Sequence, residues 1–337
     1  TNPPIDAIRE ELVTSTKTLL GAEGNLLKWA PQHARRIKLP HPILTNEQLA
    51  KLRHSQEDGF KSVTLPLLYD VYGDGPALEN ALDALFQSAS EAIDDGANLL
   101  ILSDRGINAK YGAIPALLAA AGLHHHLIRE GTRTKASIIV ESGEPREVHH
   151  FAVLIGFGTD AINPYLAYES LANVLDKELV TGISYEQAQK KYIKAAVKGI
   201  VKILSKMGIS TIQSYRGAQI FEALGLHEDV VNKYFKGTPS RLKGMTLEML
   251  AEEVLLRHKE AFPQRPANGH ALPVGGKYQW RNDGEFHLFN PSTVHALQNA
   301  CRNGDYDAFK HYTADVNAHK SQLSTLRGLL RFKKPKE

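Results

Sequence analysis

A single cysteine, Cys301, among 337 residues leaves no partner for an intramolecular disulfide. It also excludes a multi-cysteine zinc site and a self-contained iron–sulfur cluster, and a reducing compartment is the natural home. Long apolar runs are missing too: none approaches the ~20 residues needed to cross a bilayer. The first residues have neither the basic flank nor the apolar stretch of a signal peptide. The expected location is therefore the cytoplasm or, in a plant, the plastid stroma, with no membrane partner. An excess of one charge is lacking as well, since 40 Lys and Arg stand against 37 Asp and Glu. A nucleic-acid binder gathers its positive charge on one face. The final cluster of Arg331, Lys333, Lys334 and Lys336 reads as a solvated end, so no nucleic-acid partner is expected. There is no internal repeat, no G-x-x-x-x-G-K-[ST] phosphate loop and no G-x-S-x-G elbow, which removes the main support for nucleotide hydrolysis or a serine hydrolase.

What is present is ordinary globular material. Hydrophobic residues make up 42% and charged residues 23%, and the length suits one large domain or two with a sizeable buried core. Both ends, Thr1-Asn-Pro-Pro and Arg331-Phe-Lys-Lys-Pro-Lys-Glu, look cut or processed, so the chain is expected to be part of something longer. Residues 1–60 are turn-rich and read as a wrapping segment, with one helix near Ala7 to Leu20 and a second after the capping-box pair Thr45 and Gln48. Residues 61–262 read as an α/β core. Strands are expected at Ser62 to Leu68, Asn98 to Ser103 and Ala136 to Val140, separated by helices at Ala77 to Ile93 and Ile114 to Leu123. Strand, helix, strand in this order implies parallel pairing, because a parallel crossover needs a dozen or more residues. The fold class is thus α/β with a largely parallel sheet or a barrel-like βα core. Further helices are expected over Arg146 to Ile155, Tyr165 to Leu175, Ser184 to Met207, Arg216 to Leu224 and Thr246 to Ala261, with a short strand at Ile209 to Ile212. Residues 263–337 read as an irregular segment with a hairpin about Asn282-Asp-Gly284, a helix over Ser292 to Arg302, and a helix and extended tail from Tyr306 to Leu330.

Several patterns invite chemistry. His124-His125-His126 cannot face one ion together on a helix, where neighbours point about a hundred degrees apart. A helix end with one or two histidines packed and one exposed is the better reading, His149-His150 adds no carboxylate spacing, and no metal is expected. Gly156-Phe157-Gly158 lacks the third glycine of a dinucleotide fingerprint. Ser103-Asp104-Arg105 follows a parallel strand, where α/β folds usually place ligands, although an internal ion pair or cap accounts for the same residues. Arg129, Arg133, Glu141, Glu144, Arg146 and Glu147 are close enough for a salt-bridge network. Gln213-Ser-Tyr-Arg216 reads either as a phosphate contact at a helix start or as a loop held by its neighbours.

Several segments resemble the central region of glutamate synthase large subunits, in the right order. They include Thr1-Asn-Pro-Pro-Ile-Asp6, Leu100-Ile-Leu-Ser-Asp-Arg105, His124-His-His-Leu-Ile-Arg129, Gly143-Glu-Pro-Arg-Glu-Val-His-His150, Asp160-Ala-Ile-Asn-Pro-Tyr165, Gly237-Thr-Pro-Ser-Arg241 and Phe286-His-Leu-Phe-Asn-Pro291. The resemblance implies a ferredoxin- or NADPH-dependent synthase whose amidotransferase domain frees ammonia with an N-terminal cysteine. A neighbouring domain with FMN and a 3Fe-4S cluster would then form glutamate from 2-oxoglutarate. Thr1 stands where that nucleophile would be, and one cysteine cannot ligate the cluster. The resemblance thus implies a connecting domain with no catalytic residue, no cofactor of its own and no activity in isolation, with the amidotransferase and FMN domains of the same subunit as partners. It also implies that Thr1, Asn2, Ser103, Asp104 and Arg105 lie at the ammonia path or an interdomain face. The alternative is a free-standing α/β enzyme binding a phosphorylated ligand through Ser103, Arg105 and Arg216.

Overall fold

A computed structural model describes residues 11–25, 27–28, 30–55, 57–73, 76–263, 273–318 and 330. Two compact units divide the chain, Thr1–Gln264 and Arg265–Glu337. In the first, β1 (Thr18–Leu20) and β2 (Ile37–Leu39) form an antiparallel pair and lead to α1 (Asn46–Arg53). The capping box of α1 is complete. Thr45 Oγ1 accepts from the Gln48 N–H at 3.2 Å, and Gln48 Oε1 accepts from the Thr45 N–H at 2.9 Å, satisfying two donors a helix start otherwise leaves open.

Next come β3 (Ser62–Pro66), β4 (Leu68–Asp70), α2 (Ala77–Asp94), β5 (Leu99–Ser103), β6 (Tyr111–Ala113), α3 (Ala116–Arg129), β7 (Ser137–Glu141), α4 (Val148–Gly156) and β8 (Ala161–Asn163). Strands β3, β5, β7 and β8 form a parallel four-stranded sheet in sequence order, so the expected parallel α/β core is present. Both sheet faces are covered, which is why these strands are apolar without alternation. Leu100, Leu102, Ile138 and Val140 join the large core built with α2, α3 and α4. Leu99, Ile101 and Ile139 face a smaller core with Leu20, Leu39, Leu49 and Leu52 from β1, β2 and α1. The unit continues with α5 (Tyr165–Asp176), α6 (Tyr185–Lys206), α7 (Ile212–Tyr215), β9 (Ala223–Leu226), α8 (Glu228–Tyr234), β10 (Ser240–Met245) and α9 (Leu247–Ala261). Ser184 and Gln187 cap α6 reciprocally, and Gly208 at φ 68° ends it in the left-handed region.

Tertiary burial overrides local signals in several places. The helix expected to reach Leu20 stops at Val13 among the described residues. Thr18–Leu20 is instead a strand, because Leu20 is wholly buried in the smaller core. The strand expected at Ile209 to Ile212 reduces to one bridge between Ser15 and Thr211, and Thr211 caps α7. The helix expected from Arg216 is prevented by extended Arg216 (ψ 119°) and Gly217 at φ 70°, and Ala223–Leu226 pairs in parallel with β10. Strand β8 follows the Gly156-Phe157-Gly158 helix end and was not anticipated, being only three residues long.

In the second unit the turn about Asn282-Asp-Gly284 forms, with Asp283 at φ 58° and the Gly284 N–H donating to the Arg281 carbonyl at 3.1 Å. The flanking residues are not strands. Tyr278 and Trp280 are exposed, and a two-stranded hairpin without a buried face is marginal. Helices α10 (Pro291–Asn303) and α11 (Tyr306–Ala318) pack on each other. Asn290 caps α10 with Thr293 and Pro291 begins it. The tail beyond Ala318 lies outside the described residues, apart from Leu330.

Candidate functional site

The sheet brings the last residues of three strands into one row: Ser103 pairs in register with Glu141, and Glu141 with Asn163. Glu141 is the centre of this C-terminal edge. Its Oε2 accepts from Ser103 Oγ at 2.5 Å and from Arg53 Nη2 at 2.5 Å, and its Oε1 accepts from Arg105 Nε at 2.8 Å. A serine hydroxyl on a carboxylate is the outline of a nucleophile and its base. Here two guanidinium groups already occupy the carboxylate oxygens, and Ser103 is buried. Asp104 accepts from Ser142 Oγ at 2.6 Å and the Gly143 N–H at 3.0 Å, and hydrogen-bonds Tyr165. Burial pushes the Asp104 carboxyl up, against the opposing pull of those bonds. Burial and the adjacent Asp104 likewise raise the Tyr165 phenol. Arg105 lies 3.9 Å over the Tyr165 ring and its side chain is 42% exposed. Ser103 and Arg105 thus meet on Glu141, while Asp104 bonds Ser142, Gly143 and Tyr165, so the ion pair of Arg105 is made with Glu141 and Glu169 and not with Asp104. Thr1 and Asn2 lie outside the described residues.

The opposite edge carries the denser charge. Asp160, just ahead of β8, is buried. Its Oδ2 accepts from the Ile138 N–H at 2.8 Å and from Arg133 Nη2 at 3.0 Å, and its other oxygen pairs with Arg216. Glu23 joins Arg216 (3.2 Å) to Arg36 (3.1 Å). Arg133 also donates to His124 Nδ1 at 3.0 Å and to the carbonyls of Ala136 and Gly158, both at 2.7 Å. Acceptance at Nδ1 places the His124 proton on Nε2. Burial, then Arg133, pushes His124 down to about 3, and burial lowers both Arg133 and Arg216 to about 10. Gly158 has φ 104°, and a Cβ there would meet His124 Nδ1 at 2.2 Å, so this close approach requires glycine. A cavity of about 180 Å³ lies among these groups.

Arg216 therefore sits at the start of β7 and β8, whereas Ser103 and Arg105 sit at the strand ends. The three contacts of the phosphorylated-ligand alternative do not converge. Nor do Arg129, Arg133, Glu141, Glu144, Arg146 and Glu147 form one network. Glu141 goes to Arg53 and Arg105, Arg133 to Asp160, and Glu147 to His150 at 3.2 Å, while Glu144 Oε2 accepts from the Ala116 N–H at 2.8 Å and caps α3. The three histidines take separate partners and none is exposed: His124 accepts from Arg133, His126 meets Ser90 Oγ at 2.9 Å and stacks on Phe86, and His125 is buried with its ring against that of His124. Among the described residues no group of three or more His, Cys, Asp or Glu is placed to hold a metal ion. Asp160 and Arg53 were missed as site residues. Asp160 lay inside a quoted motif, but nothing in sequence ties Arg53 to Glu141, 88 positions away.

A family model described as the glutamate synthase central domain matches residues 1–227. The chain belongs to that family. The NADPH glutamate synthase large chain of Bacillus subtilis is 52% identical over 332 residues, covering 98% of this chain and 21% of its own length. The chloroplastic ferredoxin-dependent glutamate synthase of Spinacia oleracea is 40% identical, covering 99% and 21%. The NADH glutamate synthase of Schizosaccharomyces pombe is 36% identical, covering 98% and 16%. This glutamate synthase central domain thus spans about a fifth of the curated relatives or less. A mutant flavocytochrome b2 with pyruvate bound overlaps 40% of this chain and 32% of its own, at 15% identity and a TM-score of 0.31, too slight a likeness to bear on the fold. No helix among the described residues is long and apolar enough to cross a membrane.

Proposed function

We propose that this chain is the connecting domain of a glutamate synthase acting in glutamate biosynthesis from glutamine and 2-oxoglutarate. It holds an amidotransferase domain and a domain with FMN and a 3Fe-4S cluster at a fixed separation and helps shield the ammonia that passes between them. Both cofactors belong to the neighbouring domain in this reading, and the enzyme works in the cytoplasm or plastid stroma. The observation that carries it is the closure of the strand-end network. Ser103, Asp104 and Glu141, the side chains best placed for chemistry, commit their polar atoms to one another and to Arg53, Arg105, Ser142 and Tyr165. A fully partnered buried network is rigid, and rigidity is what a spacer supplies. Ammonia released to water would be protonated and lost, so a multidomain synthase needs an enclosed path.

Thr1, Asn2, Ser103, Asp104 and Arg105 line that path or its interdomain rim in this proposal. Ser103 and Asp104 hold the rim from within, and Arg105, the exposed member, makes the interdomain contact. The test is the ratio of ammonia released to glutamate formed in the full-length synthase. A variant carrying Thr1→Val and Ser103→Val raises that ratio. If it is unchanged while the enzyme stays folded and active, the ammonia-path assignment fails.

A further inference from the structure

The overall charge balance hides a local imbalance. Between Gln187 and Phe221 the sequence contains no Asp or Glu but six lysines, Lys190, Lys191, Lys194, Lys198, Lys202 and Lys206, and Arg216. All six lysines lie on α6 and all are exposed. Five recur every fourth residue, so successive ammonium groups are neighbours on the helix surface. Lys190 has Glu186 one turn earlier. None of the six makes an ion pair with a described residue. Like charges at this spacing disfavour a helix, and no described residue forms an ion pair with the run from Lys194 onward.

The lysines border a concavity. α6 and α1, with Thr14 and Thr16 of the leading segment, enclose a groove of about 1090 Å³. Lys190, Lys194 and Lys198 stand on one wall and Lys51 on the other, and Ile193, Val197 and Val201 lie between them. Glu11, Glu47 and Glu186 also line the groove, and among the described residues no carboxylate forms an ion pair with Lys194 or Lys198. A positive wall above an apolar floor suits a polypeptide with carboxylates and aliphatic side chains. Nucleic acid is the weaker fit, since the wall has no arginine for bidentate phosphate contacts.

We infer that the groove between α1 and α6 seats an acidic, partly apolar segment of the glutamate synthase polypeptide lying outside these 337 residues. The inference rests on the connecting-domain reading, and curated relatives contain several times this length of chain. The occupant's carboxylates pair with Lys194 and Lys198, and its aliphatic side chains cover Ile193 and Val197. This docks a neighbouring part of the enzyme on α6 and α1, the helix whose Asn46 accepts from Asn163 and whose Arg53 donates to Glu141 at the strand ends.

The test uses the full-length holoenzyme treated with a zero-length carbodiimide, which joins lysine to carboxylate only where the two touch, with products mapped by mass spectrometry. Lys194 and Lys198 are expected to link within the same polypeptide to one acidic segment beyond this chain. Yield at the groove should fall at least about tenfold in a K194Q/K198Q variant, whose exposed positions leave the fold intact. If Lys194 and Lys198 stay unlinked while other lysines of this chain join neighbouring domains, the groove assignment is wrong and the connecting reading stands. If no lysine of this chain joins another domain, the connecting reading fails and takes the inference with it. Links from the groove to a second enzyme molecule, or protection of Lys194 by RNA alone, also overturn it.

Discussion

At the C-terminal edge of the parallel sheet one buried carboxylate, Glu141, faces two guanidinium groups that reach solvent, Arg53 at 29% and Arg105 at 42% side-chain exposure. At the opposite edge Asp160 and Glu23 face Arg36, Arg133 and Arg216, whose side chains are 12%, 13% and 15% exposed. The first edge can exchange a lost partner for water, and the second cannot. In α/β folds the C-terminal strand ends usually carry the function. In this chain that edge is locked by its own side chains, and the heavier electrostatic load falls at the opposite end. Charge is thus enclosed at one end of the sheet and reaches solvent at the other.

Asp160→Asn is the sharpest way to break this comparison. It leaves Arg133 and Arg216 buried without their shared carboxylate and should cost about 3–5 kcal/mol in chemical denaturation. Glu141→Gln should cost less, about 2 kcal/mol, because Arg53 and Arg105 can turn to water. Equal losses would dissolve the contrast between the edges.

Acid should act on the N-terminal edge through His124. Its folded value of about 3 lies below the ordinary 6.5, so the folded chain resists the proton that the unfolded chain accepts. The associated stability is present above pH 6.5 and is lost as pH falls below it. Between roughly pH 7.5 and pH 5.5 the loss is about 1.4 kcal/mol. His124→Asn keeps an acceptor for Arg133 and should remove that part of the pH dependence, measured as the difference between the two denaturation series. Thr45→Ala, which removes no charge from either edge, should cost about 1 kcal/mol through the lost cap of α1 and calibrates the larger effects.

Elements governed by local chemistry were legible before the structure. Capping boxes at Thr45 and Ser184 mark their helices because the partners sit three residues apart, and the apolar runs at Leu99–Ser103 and Ser137–Glu141 mark strands covered on both faces. Elements governed by distant partners were not. Thr18–Leu20 is a strand because Ile37–Leu39 lies beside it, and Ala223–Leu226 because Ser240–Met245 does. The candidate triplet Ser103-Asp104-Arg105 was visible from its place after a strand, but its closure depends on Glu141 and Arg53, which no local spacing announces. The family itself was readable from motif order, since whole segments survive where single contacts are silent.

The central claim is that these residues form scaffold and carry no catalytic centre. The direct measurement takes the 337-residue chain alone, checked for cooperative folding, and records its visible spectrum and its turnover of glutamine and of 2-oxoglutarate with a reductant. The account predicts a colourless protein with no ammonia release and no glutamate formed. A flavin-like absorption band that survives dialysis, or turnover of either substrate that Glu141→Gln abolishes, would contradict it.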